Sequence, residues 1–206
     1  MLRQLGSDAL IIGVDEVGRG PLAGPVLAAA AQLSQAAAAR LSDLGLADSK
    51  TLSPKRRAAL HEALSALAAE GAARLALGAA SLREIERLNI LWASQLAMRR
   101  AALRLARAAP APLAYALIDG NRAPDALPCP AETLVGGDGR SLSIAAAALW
   151  AKQARDRLMA RLAPRYPSYG WESNAGYAAA AHREAIRIDG LSPHHRPGFC
   201  RKLLTQ

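Results

Sequence analysis

The sequence predicts an α/β protein, a mixed sheet of five strands with flanking helices and a helical C-terminal part. Three observations predict it. Five apolar runs have strand length, capped helical stretches alternate with them and follow them, and from Pro164 onward the composition shifts to Tyr, Pro, Gly and His.

The strand-like runs cover residues 9–14, 25–33, 72–80, 113–118 and 132–135. Between them, "SPKRRAALHEALSALAAEG" offers Ser53 as N-cap, Pro54 at the first helical position and Gly71 at the end. A second helix starts at Ser81, whose hydroxyl can cap "LREIERL". A third, over 90–108, sets Leu91, Ala93, Leu96, Ala97 and Leu103 on one face against Arg99, Arg100, Arg104 and Arg107 on the other. The stretch from Ser141 stops before Pro164, and one further helix lies around 178–188.

At 206 residues the chain fits one domain, or one domain with a small appendage, and 51% hydrophobic residues suffice for a sizeable core. No apolar run has membrane length. The start lacks a basic segment followed by a cleavable apolar one, which predicts a cytoplasmic protein with no membrane association. The two cysteines, Cys129 and Cys200, have no metal-type spacing and are expected to be packing thiols.

Lys and Arg number 26 against 17 Asp and Glu, a net charge of +9 and a pI near 10.4. Such an excess favours a phosphate-rich partner through counterion release. Coding bias toward alanine and arginine produces the same excess, so a site is needed to decide.

That site begins where the apolar run "ALIIGV" breaks into "DEVGRGPLAG", with Asp15 and Glu16 directly behind the run. "YALIDGN" places Asp119 at the end of another run, and "TLVGGDGRS" places Asp138 just beyond a third. Carboxylates delivered by three strand ends can converge at one edge of a sheet, although they lie far apart in sequence. Clustered carboxylates repel unless a cation joins them, and hard oxygen donors select Mg²⁺ or Mn²⁺. A pair of such ions suits in-line displacement at phosphorus. For any single acid the plainer reading is a cap or turn residue, above all Asp138 before Ser141. Pleating adds a constraint, because neighbouring strand residues point to opposite faces. Either the strand ends in a twist, which Gly18 and Gly20 permit, or Glu16 acts partly through its carbonyl or a water. Asp15 is the firmer ligand.

"DEVGRGPLAGPV", "ADSKTLS", "LNILWASQLAMRRA", "IDGNRAP", "GDGRSLSIAAAALWAKQARDRLM", "YPSYGWESNAGY" and "PHHR" resemble, in order and over nearly the whole chain, the motifs of ribonuclease HII, the type 2 ribonuclease H family. The resemblance implies a ribonuclease H-like catalytic domain over residues 1–163 with a helical extension over 164–206 packed on it. It implies a Mn²⁺- or Mg²⁺-dependent endonuclease that cuts the RNA strand of RNA–DNA hybrids and incises at single ribonucleotides in duplex DNA, leaving 5′-phosphate products. Its place would be ribonucleotide excision repair, as a monomer with no obligate protein partner. Asp15, Glu16, Asp119 and Asp138 match the four catalytic, metal-binding carboxylates; Gly18, Arg19 and Gly20 match the ribonucleotide-sensing loop. Tyr177 matches the tyrosine that stacks on the sugar after the ribonucleotide. Ser49, Lys50 and Asn121 fall in the substrate-binding motifs. Gly136 and Arg140 stand where the family commonly has lysine, Asn174 where a basic residue is common, and Ala178-Ala179 where Gly-Thr is usual. These departures touch substrate grip and loop shape.

Glycines beside Arg19 let main chain approach a sugar where side chains would block it. A 2′-hydroxyl both donates and accepts, so the main chain of such a loop can tell RNA from DNA. Gly20→Val is expected to disturb this by adding bulk and disfavouring a positive φ. Arg19 can hold a phosphate through its planar fork. Asp156 and Lys152, four apart on one helix, are expected to pair at the surface. His182 reads as a helix-face residue and His194-His195 as a polar loop. Two other classes remain open: another nuclease or strand-transfer enzyme of the same fold, which needs the acids but no Gly-Arg-Gly loop, and a non-catalytic nucleic-acid binder, which tolerates loss of Asp15 or Asp119.

Overall fold

The computed structural model describes residues 9–46 and 53–204. Five strands, β1 (Ile11–Val17), β2 (Val26–Leu33), β3 (Ala73–Ala80), β4 (Tyr115–Asp119) and β5 (Ala131–Leu134), form one sheet in the order β3-β2-β1-β4-β5. β1, β2 and β3 are an antiparallel meander, and β4 and β5 continue the sheet parallel to β1. Ser49 and Lys50 lie outside the described residues.

Helices α1 (Gln35–Asp43), α2 (Pro54–Ala69), α3 (Leu82–Ala108) and α4 (Leu142–Leu162) cover the sheet. α3 packs on one face, where Met98, Ala101 and Leu105 meet Val14, Ala28 and Ala30. α1, α2 and α4 share the other, where Leu41, Leu64 and Leu149 meet Ala29 and Ala31. The reason is legible in β2 itself. Its run of four alanines, 28–31, is wholly buried and lets helices come close on both faces.

The caps form as the sequence predicts. Ser53 accepts from the Arg56 N–H at 3.4 Å with Pro54 at the helix start, and Ser141 accepts from Ile144 at 3.4 Å. Ser81 and Glu84 close a reciprocal box, Ser81 N–H to Glu84 at 2.8 Å and Glu84 N–H to the Ser81 hydroxyl at 3.3 Å. Asn89 (φ 64°) breaks α3 where its two predicted halves meet. Arg100 and Arg104 do not simply face solvent. They donate at 2.7 and 2.8 Å to the Ala79 and Leu77 carbonyls of the edge strand β3 and so shield a sheet edge.

The C-terminal segment carries α5 (Trp171–Asn174), α6 (Ala180–Asp189) and α7 (Pro197–Leu204). It buries Tyr169, Trp171, Ile186 and Cys200 against Leu22, Ala23 and Met159. Both cysteines are free thiols, Cys200 buried and Cys129 half-buried.

Two expectations need correction, one on helices and one on a strand. α1, α5 and α7 were not expected. α1 forms because Ser34 caps it, accepting from Ala37 N–H at 3.1 Å. β1 also runs three residues past Val14, because its antiparallel ladder continues to Val17 opposite Leu27.

Candidate active site

Asp15 and Glu16 are thus inside β1, not behind it. Their rungs pair with Ala29 and Ala28 of β2, so the ladder, and with it the pleat, continues through both acids. On the other side of β1, Val14 pairs with Ile118 of β4. Asp15 and Asp119 each directly follow that last paired rung on neighbouring strands, close enough for Asp119 to raise the Asp15 carboxyl. Asp119 is fixed by accepting the Gly137 N–H at 2.7 Å. That bond ties the end of β4 to the 3-10 turn Gly137–Gly139, which carries Asp138. Ser141 caps α4, so Asp138 is not the cap. Gly13 brings α4 down onto β1: a Cβ there would collide with the backbone of Ser143 and Ile144.

The four acids act on one another. Asp15 is 8% exposed, and burial first, then Glu16, Asp119 and Asp138, pushes its carboxyl well above the usual carboxylate range. Its one opposing influence is the Glu16 N–H, which donates to it at 2.7 Å. Glu16 is also raised by burial, against the pull of Arg19, whose guanidinium lies 3.3 Å away. Despite the pleat, Asp15 and Glu16 border the same cleft of about 320 Å³, together with Asp138, Arg57 and Lys152.

The donor set fits a divalent metal. All four ligand candidates are carboxylates, and the repulsion raising Asp15 is what a hard cation relieves. Among the described residues no three His, Cys, Asp or Glu are already drawn together around one ion position. Asp15, Glu16 and Asp138 border one cleft, while Asp119 is not among its lining and reaches the others through its charge on Asp15 and Glu16.

Beside them, Gly18 has φ +90°, where a side chain would be strained, and a Cβ would collide with Arg155. Gly20 differs from expectation: its φ is not positive, and a Cβ would meet Tyr177 Cε1 at 4.0 Å, an ordinary contact. Gly20 is therefore small because of the space it leaves before Tyr177, not because of its backbone. Tyr177 is 42% exposed, its ring 5.8 Å from the Arg155 guanidinium carbon and 6.0 Å from Lys152 Nζ. The Leu22 N–H donates to the Gly176 carbonyl at 2.8 Å, which joins the glycine loop to the Tyr177 turn. Asn121 is exposed just past β4. Of the departures, Asn174 braces that turn, donating to Tyr169 O at 2.7 Å and accepting from Gly176 N–H at 2.8 Å. Gly136 takes a left-handed conformation with φ 63°. Lys152 and Asp156 pair at 2.7 Å as expected.

Sequence reasoning missed four residues. Arg155 (0% exposed) and Arg196 (2%) are buried beneath the glycine loop, and His182 and His195 form a buried pair behind Tyr177. Nothing in the local pattern marks an arginine as buried. The one available signal was the "PHHR" motif, read as a polar loop.

Residues 12–203 match the ribonuclease HII family. The chain is 53% identical over 190 residues to ribonuclease HII of Gluconobacter oxydans, covering 92% of this chain and 87% of that one. It is 56% identical over 191 residues to that of Granulibacter bethesdensis, covering 92% and 83%. In fold it is similar to ribonuclease H2 of Pyrococcus horikoshii OT3 (TM-score 0.71, 22% identity, covering 94% and 96%). It is also similar to Bst-RNase HIII in complex with Mn²⁺ (TM-score 0.74, 24% identity, covering 98% and 71%). A match of this length and identity, on a mixed five-stranded sheet that brings the motif carboxylates together, shows that the chain belongs to the ribonuclease HII family and is a ribonuclease H enzyme.

Proposed function

We propose that this chain cleaves the RNA strand of RNA–DNA hybrids and incises duplex DNA at single ribonucleotides, using Mn²⁺ or Mg²⁺ held by Asp15, Glu16, Asp119 and Asp138. The observation that carries the reading is the mutual placement of the acids: Asp15 and Asp119 each directly follow the last paired rung of β1 and β4, Val14 with Ile118, and Asp138 is tied to Asp119 through the Gly137 N–H. Bound there, the metal supplies Lewis acidity to the phosphodiester and a hydroxide-like water at neutral pH. The chain's own residues do the rest. Gly18, Arg19 and Gly20 present main chain to the ribose, Arg19 carries its charge to a phosphate, and Tyr177 offers a ring face to the next sugar. Arg57 and Lys152, on the rim of the acidic cleft, add cationic contacts to the backbone of the duplex.

In this reading residues 1–163 carry the chemistry and residues 164–206 complete the substrate surface. Ser49, Lys50 and Asn121 contact the nucleic acid. The protein acts in the cytoplasm as a monomer, and its incision opens ribonucleotide excision repair. A neighbour from Archaeoglobus fulgidus, 25% identical with a TM-score of 0.71, was solved as a PCNA complex; a sliding clamp is accordingly the partner to look for here.

The test is incubation with an RNA–DNA hybrid in Mn²⁺, Mg²⁺ or chelator, with Asp15→Asn and Asp119→Asn alongside. Cleavage by the parent protein in metal alone, lost in both variants, supports the assignment. Full activity in chelator sinks the metal, and substantial activity in either variant sinks the ligand set.

A further inference from the structure

Two buried guanidinium groups lie under the glycine loop, and what they bind is main chain. Arg196 Nη2 donates to Gly18 O at 2.6 Å, Nη1 to Arg19 O at 3.0 Å and Nε to Gly24 O at 2.8 Å, while its own N–H donates to Leu22 O at 2.7 Å. Arg155 takes the other side, donating to Ala23 O at 2.8 Å, Pro25 O at 3.3 Å and Ala175 O at 2.8 Å. Residues of three separate stretches, 18–25, 155 and 175–196, are thereby locked together. Burying a guanidinium is costly, and here burial lowers the Arg196 pKa to about 10.

The bonds to Gly18 O and Arg19 O have a geometric consequence. The described peptide bonds are trans, so each N–H points opposite to its carbonyl. With the carbonyls of peptides 18–19 and 19–20 turned down onto Arg196, the N–H groups of Arg19 and Gly20 turn away from it. Neither has a main-chain partner among the described residues. A carbonyl that accepts from a charged donor also polarises its peptide, making the N–H on the other side a stronger donor.

We propose that Arg196 is a positioning residue for ribonucleotide recognition: it turns the donor edge of Gly18-Arg19-Gly20 toward the substrate, so that the Arg19 and Gly20 N–H groups donate to the ribose 2′-oxygen. Arg155 holds the same loop in reach of Tyr177. This rests on the loop reading given above. It makes the loop a donor site for an acceptor oxygen, and it explains why a buried arginine with no acidic partner among its hydrogen bonds is kept at this place.

The test is binding in chelator, which blocks cleavage, of two duplexes that differ by one 2′-hydroxyl. Arg196→Lys keeps the charge but cannot span three carbonyls. Its affinity for the ribonucleotide duplex should fall about tenfold, the equivalent of one charged hydrogen bond. Its affinity for the all-deoxy duplex, set by phosphate contacts, should not change. A purely structural role would lower both affinities or the melting temperature and leave their ratio intact. A folded Arg196→Lys protein that keeps the parent's preference overturns the assignment. A parent with no preference overturns the loop reading and the assignment with it. Should the variant not fold, amide hydrogen exchange on the parent protein decides. The Arg19 and Gly20 amides should exchange fast when free and slow on the ribonucleotide duplex but not on the all-deoxy one. Slow exchange in the free protein, or no slowing on the ribonucleotide duplex, overturns it.

Discussion

His182 Nε2 lies 3.0 Å from His195 Nε2, and the surroundings fix the direction of the proton between them. His195 Nδ1 accepts from the Ser192 N–H at 2.9 Å. Its proton therefore sits on Nε2 and points at His182. His182 Nδ1 lies 2.8 Å from the Tyr177 carbonyl and donates to it, so its Nε2 is free to accept from His195 and from Trp171 Nε1–H at 3.1 Å. Both rings are neutral. A second proton on either would set two donors against each other. This hydrogen-bond chain ends on the Tyr177 backbone, so neutrality of the pair holds Tyr177 in place.

This arrangement predicts acid lability. Burial first, and then His182, lowers the His195 pKa from 6.5 to about 4. Between those values the unfolded chain binds a proton that the folded chain refuses, so stability is full above pH 6.5 and falls as pH drops toward 4. The loss should be on the order of 3 kcal/mol. Urea unfolding at pH 7, 6 and 5 should show it, and His195→Gln should flatten the slope between pH 6.5 and 5. An unchanged slope in that variant would place the effect elsewhere.

The two loop glycines should separate into two phenotypes. Gly18→Ala puts a side chain at φ +90° against Arg155 and should cost about 2–3 kcal/mol of stability. Gly20→Ala finds only an ordinary contact with Tyr177, so stability should change by less than about 0.5 kcal/mol. Its added methyl stands in the gap before the ring, and KM for a ribonucleotide duplex should rise. Thermal melts and steady-state kinetics on both proteins check this. A destabilised Gly20→Ala protein with normal KM would reverse the assignment.

Much of the candidate site was legible in the sequence because an acid that breaks an apolar run leaves a local trace. An apolar run followed by an acid identifies Asp15 and Asp119 without knowledge of the partner strand. The limits were long-range. That β1 carries its ladder through both acids depends on β2, not on residues 11–17 themselves. Gly20 and Gly18 look alike in sequence and differ in backbone conformation and in the neighbours they meet, Tyr177 and Arg155. Arg196 reads as one more cation of a basic chain until residues 177 positions away bring their carbonyls to it. His182 and His195 likewise become a pair only when α6 packs beside the segment that follows it.

Tyr177 should act through its ring. Tyr177→Phe should cleave a single-ribonucleotide duplex nearly as the parent does, while Tyr177→Ala, which removes the ring face offered to the sugar, should lose about tenfold, the equivalent of about 1.4 kcal/mol. Equal, severe loss in both proteins would assign the work to the hydroxyl.

The central claim is that acids and loop act as one site, cutting where a 2′-hydroxyl is read. The most direct measurement is cleavage, in Mn²⁺ or Mg²⁺, of three duplexes identical except for one sugar: ribose, deoxyribose and 2′-O-methyl ribose. The account predicts that the parent protein cuts the first at the ribonucleotide and leaves the other two intact, the second for want of a 2′-oxygen to accept from the loop and the third because its methyl blocks the close approach that the glycines allow. Cutting of the all-deoxy or the 2′-O-methyl strand would contradict it, and Gly18-Arg19-Gly20 would then be a structural turn beside a nuclease site that does not sense the sugar.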